Sequence, residues 1–270
     1  MEGRSHGLLF GLSANTPQYE YQSRAHFLST QQQELGHFHA DENSRSEYII
    51  FTGIDQDTFL NDIANLTSSI ETYSAALQVI LIKMESHAHA VAHERFSFQM
   101  ANKLRDMDLD WQLIPFGAAP VEGEDRRKRA DQSYRPKHFP RDRPREWPTF
   151  VIETAYSESQ QKLQGDIRWW LRTTQGSCCV VTISINQRMK EIAFEKWAGY
   201  PRPKRMYRTV LTQSESGENI RATNTQPLVI RFEEVFLTQP AAGENDFTFD
   251  MEELMRMVAE IWDAQFPPSA

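Results

Sequence analysis

A mixed α/β fold, with a central sheet flanked by helices and further strands and a helix added at the C-terminal end, is what this 270-residue sequence predicts. Three observations lead there. Short apolar runs rich in β-branched residues, at Val79–Ile82, Phe150–Ile152 and Cys178–Ile185, have the length and composition of strands buried on both faces. Other segments repeat apolar residues at helical spacing: Val91, Phe96, Met100 and Leu104; Leu163, Ile167, Trp170 and Leu171; Leu254, Met257, Val258, Ile261 and Trp262. The third is their junction, where Glu153 closes the Phe150–Ile152 run and Ser157 with Gln160 forms a capping-box pattern opening the next helix. A carboxylate is thereby expected between a core strand and an amphipathic helix, an unusual place for charge.

Taken in order, residues 1–46 are rich in Ser, Gln, His and Gly with scattered aromatics, and read as a loosely ordered arm that joins the body through a strand near Tyr48–Phe51. Residues 47–200 form the expected core domain. Asp55 and Asp57 are candidate caps for a short helix carrying Phe59, Leu60, Ile63 and Leu66. A hairpin of Ile70–Tyr73 and Gln78–Met84 follows, its second strand central, and Ser86 precedes a helix of about five turns. Trp111–Phe116 reads as a strand, Gly117–Glu124 as a loop, and the prolines at 136, 140, 144 and 148 as an extended surface stretch. Cys178–Ile185 and Glu191–Trp197 make a hairpin at one side of the sheet. Residues 201–270 supply strands at Arg205–Thr212 and Leu228–Leu237 and a capping helix after Asp250.

Composition limits the classes of function. No apolar run approaches the ~20 residues of a membrane span, and the first thirty residues lack the pattern of a secretory signal, so an intracellular protein, cytoplasmic or nuclear, without membrane contact is expected. Cys178 and Cys179 are adjacent, poorly placed for an unstrained bridge, and read as core filling. The net charge of −8 argues against coating of nucleic acid by the whole surface. One segment is an exception: residues 126–145 hold nine lysines and arginines against Asp131 and Asp142. Such a segment suits a phosphate backbone, with Tyr134 and His138 available for stacking; a solvated loop or an import signal are the alternatives.

The strand order places Asp131 and Glu153 on neighbouring strands. Paired carboxylates are what a hard divalent cation requires, since Mg²⁺ takes few protein oxygens and leaves positions for water and phosphate. His89 and His93, at i and i+4 on the long helix, have zinc-ligand spacing without a thiolate or the His-Glu-x-x-His pattern, and read as surface histidines.

The run Arg-Lys-Arg-Ala-Asp-Gln-Ser-Tyr-Arg-Pro, then Pro-Thr-Phe-Val-Ile-Glu-Thr-Ala-Tyr-Ser-Glu-Ser with Leu163, Asp166 and Trp169-Trp170-Leu171, then Val181–Ile185 and Ile192–Trp197, resembles a group of fungal proteins. Those proteins look like members of the PD-(D/E)XK, or restriction-endonuclease-like, nuclease superfamily. The resemblance covers roughly Val79–Trp197. It implies an αβββαβ core with a mixed sheet, hydrolysis of DNA or RNA with Mg²⁺ or Mn²⁺, and Asp131 and Glu153 as metal ligands. The superfamily lysine belongs two residues after the glutamate, where this chain has Ala155. Lys162 is the nearby replacement, Glu94 the extra helical acid of the kind some members use, and Arg126, Arg127, Lys128, Arg129, Arg135 and Lys137 the expected backbone-binding cations. The missing lysine also admits a degenerate member that binds nucleic acid or protein without cleaving.

Overall fold

From the N-terminus, the computed structural model describes residues 7–42, 45–156, 160–214 and 219–267. It begins with β1 (Gln18–Glu20), α1 (Arg24–Ala40), β2 (Tyr48–Thr52) and α2 (Gln56–Thr58), which runs into a π-helical stretch at Phe59–Ile63. Next come β3 (Ile70–Ser74), β4 (Val79–Lys83), α3 (His87–Asp106), β5 (Leu113–Pro115), β6 (Val121–Glu122) and β7 (Arg127–Lys128). The central stretch forms β8 (Gln132–Pro136), β9 (Phe150–Ala155), α4 (Gln160–Thr173), β10 (Cys179–Ile185) and β11 (Glu191–Ala198). The chain ends with β12 (Lys204–Thr212), β13 (Arg221–Ala222), β14 (Leu228–Ile230), α5 (Phe232–Phe236), β15 (Phe247–Phe249) and α6 (Met251–Gln265). Ser157, the expected cap of α4, lies outside the described residues.

The fold is mixed α/β, and its strands divide between two units rather than entering one sheet. Each unit is discontinuous in sequence, where the expected division ran 1–46, 47–200 and 201–270. The first comprises Met1–Ser86, Pro120–Arg129 and Ser157–Gly165; the second comprises His87–Ala119, Ala130–Tyr156 and Asp166–Ala270.

The first unit is built on a sheet of order β1-β2-β4-β3-β7-β6, in which β1 and β2 are parallel and the other pairs antiparallel. β4 is interior, as its unbroken Val-Ile-Leu-Ile run predicts, and every residue of it is buried. The described part of the N-terminal segment is not a loose arm, because Gln18–Glu20 form β1 and Arg24–Ala40 the 17-residue α1. Ser23 caps α1 by accepting the amide of His26, and the buried stripe is Phe27, Thr30, Glu34 and Phe38. Half of that stripe is polar, so no apolar period marks it in the sequence. Glu34 is made compatible with burial by the Tyr19 hydroxyl, which donates to it at 2.9 Å. Phe27 packs against Phe51 with ring centroids 4.6 Å apart.

The second unit holds a sheet of order β13-β12-β11-β10-β9-β8-β5 and a separate β14–β15 pair. β9 and β10 are parallel, and the other pairs of the larger sheet antiparallel. The β10–β11 hairpin is therefore interior, not at one side, since β12 continues the sheet beyond it. Leu228–Leu237 is not one strand: it turns at Arg231 from β14 into α5. Asp250 caps α6 by accepting the amide of Glu253, and α6 buries Leu254, Met257, Val258, Ile261 and Trp262. Phe96 of α3 stacks on Phe249 at 4.5 Å and meets Phe150 of β9 at 6.3 Å, which fixes the face of the sheet that α3 covers. Each fully buried side chain of this kind contributes about 1.5–3 kcal/mol.

Candidate functional site

Asp131 directly precedes β8, and β8 pairs with β9 in the register Tyr134↔Phe150, Ser133↔Val151 and Gln132↔Ile152. The next step of that register puts Asp131 level with Glu153. Glu153 is 2% exposed, and the side chain of Asp131 is 6% exposed. Side chains alternate along a strand. Phe150 faces α3, so Glu153, an odd number of residues on, faces the other way, and there its carboxylate accepts the indole N–H of Trp170 on α4. Asp131 sits beyond the last rung. Its Oδ2 accepts the backbone N–H of Thr154 at 2.6 Å, and its Oδ1 lies 3.3 Å from Nε2 of His89 on α3. The two acids are brought level by the backbone and are engaged by different helices.

His89 is wholly buried and His93 is 6% exposed, so neither is the surface histidine expected from the sequence. Their rings meet edge to face at 5.6 Å and present nitrogens within 4.8 Å of each other. The contact of His89 with Asp131 is one that the sequence leaves hidden, because the residues lie far apart in the chain. The signal available was two histidines one turn apart on the apolar side of a helix. Glu94, on the same helix, has a side chain 64% exposed, and Gln132 Nε2 donates to it at 3.4 Å.

Lys162 belongs to the first unit. Its amine donates to both carboxylate oxygens of Glu71, at 2.9 and 3.2 Å, and lies 5.2 Å from the ring centre of Tyr48. Lys128 donates to the same carboxylate. Glu71 stands at a bulge in β3, where the pairing with β4 shifts between Ile70 and Thr72. Such a bulge re-aims a side chain. Burial acting alone would raise the pKa of Glu71, but the nearby amines of Lys128, Lys162 and Lys83 outweigh it and hold the carboxyl far below the usual range.

The basic segment is not one exposed patch. Arg126 and Lys128 are buried, and β7 is a strand of the first sheet, paired with β3 and β6. Arg127 lies 3.3 Å from Glu122, and the guanidinium of Arg129 donates to the carbonyls of Thr67, Ser68 and Ile70. In the second unit, Arg135 lies over the rings of Phe116 and Phe139, and Lys137 and His138 are exposed. Tyr134 is 6% exposed and stacks on Phe150, so its ring is core.

A cavity of about 550 Å³ in the second unit borders Cys178, Cys179, Gly199, Arg231 and Glu234. Burial pushes the Cys179 thiol up to about 12 and the Cys178 thiol well above its ordinary value. Both thiols are protonated at neutral pH, which removes them as nucleophiles.

No family model and no curated protein matches the chain. Among solved structures, it is similar to the crystal structure of a "putative nuclease belonging to DUF820" from Anabaena variabilis, with a TM-score of 0.42 and 12% identity, over 74% of this chain and 98% of that one. No helix among the described residues is long and apolar enough to cross a membrane.

Proposed function

We propose that this chain is a metal-dependent phosphodiesterase of the PD-(D/E)XK type that acts on nucleic acid, with Asp131 and Glu153 as the acids of its cation site. What supports the reading is that the β8–β9 register brings the backbone of Asp131 level with that of Glu153, that both carboxylates are shielded, and that Asp131 is tied to the residue after Glu153 through the Thr154 amide. Their donor chemistry fits Mg²⁺ or Mn²⁺: each has a described contact to an N–H donor, and a carboxylate has about four lone-pair sites. Bound there, the cation would lower the pKa of a water and offset charge on a phosphoryl oxygen. The Thr154 amide and the Trp170 indole orient the two carboxylates. In this reading Lys162 is a structural cation of the Glu71 cluster rather than the amine that orients water. Arg135 and Lys137 are the members of the basic segment offered to the phosphate backbone within the same unit.

Incubation of the full chain with single- and double-stranded DNA and RNA in Mn²⁺ tests the proposal. Cleavage that is lost in Glu153→Ala and in EDTA supports it; cleavage indifferent to both refutes it. A second reading, binding without turnover, is favoured by Ala155 at the usual lysine position and by the engagement of Lys162 with Glu71. Salt-sensitive retention of oligonucleotide with no cleavage in any divalent cation would establish it.

A further inference from the structure

The buried histidines of α3 are not used by the reading above, yet one of them stands against its first acid. We propose that His89 is a metal ligand that shares a divalent first-row transition-metal ion with Asp131, so that this site selects Mn²⁺ over Mg²⁺. The inference rests on the cation site proposed at Asp131 and names which cation it takes.

Nε2 of His89 and Oδ1 of Asp131 are 3.3 Å apart. Two ligands at right angles on one ion, with bonds of about 2.2 Å, lie about 3.1 Å apart, so the pair is spaced for a common ion with little movement. Both side chains are almost fully shielded, at 0% and 6% exposure, which fixes their rotamers before an ion arrives. The Thr154 amide holds the other oxygen of Asp131 and aims Oδ1 at α3. His93, one helical turn from His89, presents a ring nitrogen within 4.8 Å of it, a second imidazole donor on the same side of the helix.

Donor chemistry sets the selectivity. Mg²⁺ prefers oxygen ligands and sheds water reluctantly, whereas imidazole nitrogen suits transition metals. A mixed imidazole–carboxylate set therefore favours Mn²⁺ over Mg²⁺, where a pair of carboxylates alone would separate them little. It also gives the His89–His93 spacing a role for which the sequence supplied no third ligand.

Titration calorimetry of Mn²⁺ and Mg²⁺ into the full chain, without nucleic acid, is the test. Binding of Mn²⁺ at least about tenfold tighter than Mg²⁺, with that preference lost in His89→Gln, is the expected result. Because His89 is fully buried, pulsed electron paramagnetic resonance of Mn²⁺ on the unaltered chain supplies a readout independent of folding. Nitrogen modulation from a coordinated imidazole is expected, and should disappear in Asp131→Asn. Mn²⁺ bound with oxygen ligands alone would overturn the assignment of His89 and leave the two-carboxylate reading standing. If neither cation binds, both readings are overturned.

Discussion

Two buried clusters, one in each unit, both hold carboxylates but surround them with different partners. In the first unit one carboxylate, Glu71, lies among the amines of Lys128, Lys162 and Lys83, which hold it ionised despite burial. In the second unit two carboxylates, Asp131 and Glu153, are held by a backbone amide, an indole and an imidazole. Amines cancel the charge of a carboxylate, whereas amide and indole hydrogen bonds orient it and leave the charge in place. The first arrangement is that of a structural ion cluster. The second leaves its carboxylates facing hydrogen-bond donors rather than amines, which is why the functional proposal rests on it.

Breaking the first cluster has the largest expected effect. Glu71→Ala leaves buried amines without the carboxylate they face, and should cost about 3–5 kcal/mol of stability by denaturant unfolding. Acid reaches the same cluster. The folded pKa of Glu71 is depressed, so its stabilisation is complete above the unfolded-state value of about 4.3 and falls as pH drops toward the folded value. The stability gap between the unaltered chain and Glu71→Gln should therefore hold steady down to about pH 5 and shrink progressively as the pH falls further.

Trp170→Phe tests the second cluster by removing the donor to Glu153 while keeping most of the ring. A loss of about 1.5–3 kcal/mol is expected for a hydrogen bond to a charged group, accompanied by weaker Mn²⁺ binding. If metal affinity is unchanged, Glu153 is not part of the cation site. Lys162→Met sharpens the contrast with a smaller effect: one amine of three is removed from Glu71 with little change of volume. About 1–2 kcal/mol of stability should be lost, with Mn²⁺ affinity in calorimetry unaltered. A loss of affinity would return Lys162 to the metal site. The smallest effect is expected at the thiols: Cys178 and Cys179 should resist alkylation at pH 8 in the native chain and react at once in denaturant.

What the sequence revealed of the fold follows the strength of its periodicity. β4, β9 and β10 were legible because unbroken β-branched runs have few other uses, and α6 because its apolar stripe and its Asp250 cap coincide. α1 was not, since its buried face includes Thr30 and Glu34, whose carboxylate meets Tyr19 of β1 as well as His37 and Arg45. The basic run at 126–129 misled for the related reason that charge predicts exposure only on average. Lys128 is the interior partner of Glu71, 57 residues away. Of the candidate site, strand order makes Asp131 and Glu153 legible as neighbours, but the contact between Asp131 and His89 joins residues whose meeting no local pattern records.

By itself, the sequence determined the α/β class, the principal strands and helices, and the presence of a carboxylate inside a core strand, because each is set by the local alternation of apolar and polar side chains. Tertiary structure decided which charges face one another: that Lys162 and Lys128 close on Glu71, that Glu153 turns to Trp170, and that Asp131 meets His89. Those pairings depend on sheet order and on a bulge at Glu71. Both come from the packing of segments distant in the chain, and packing is what determines which partner a buried charge meets.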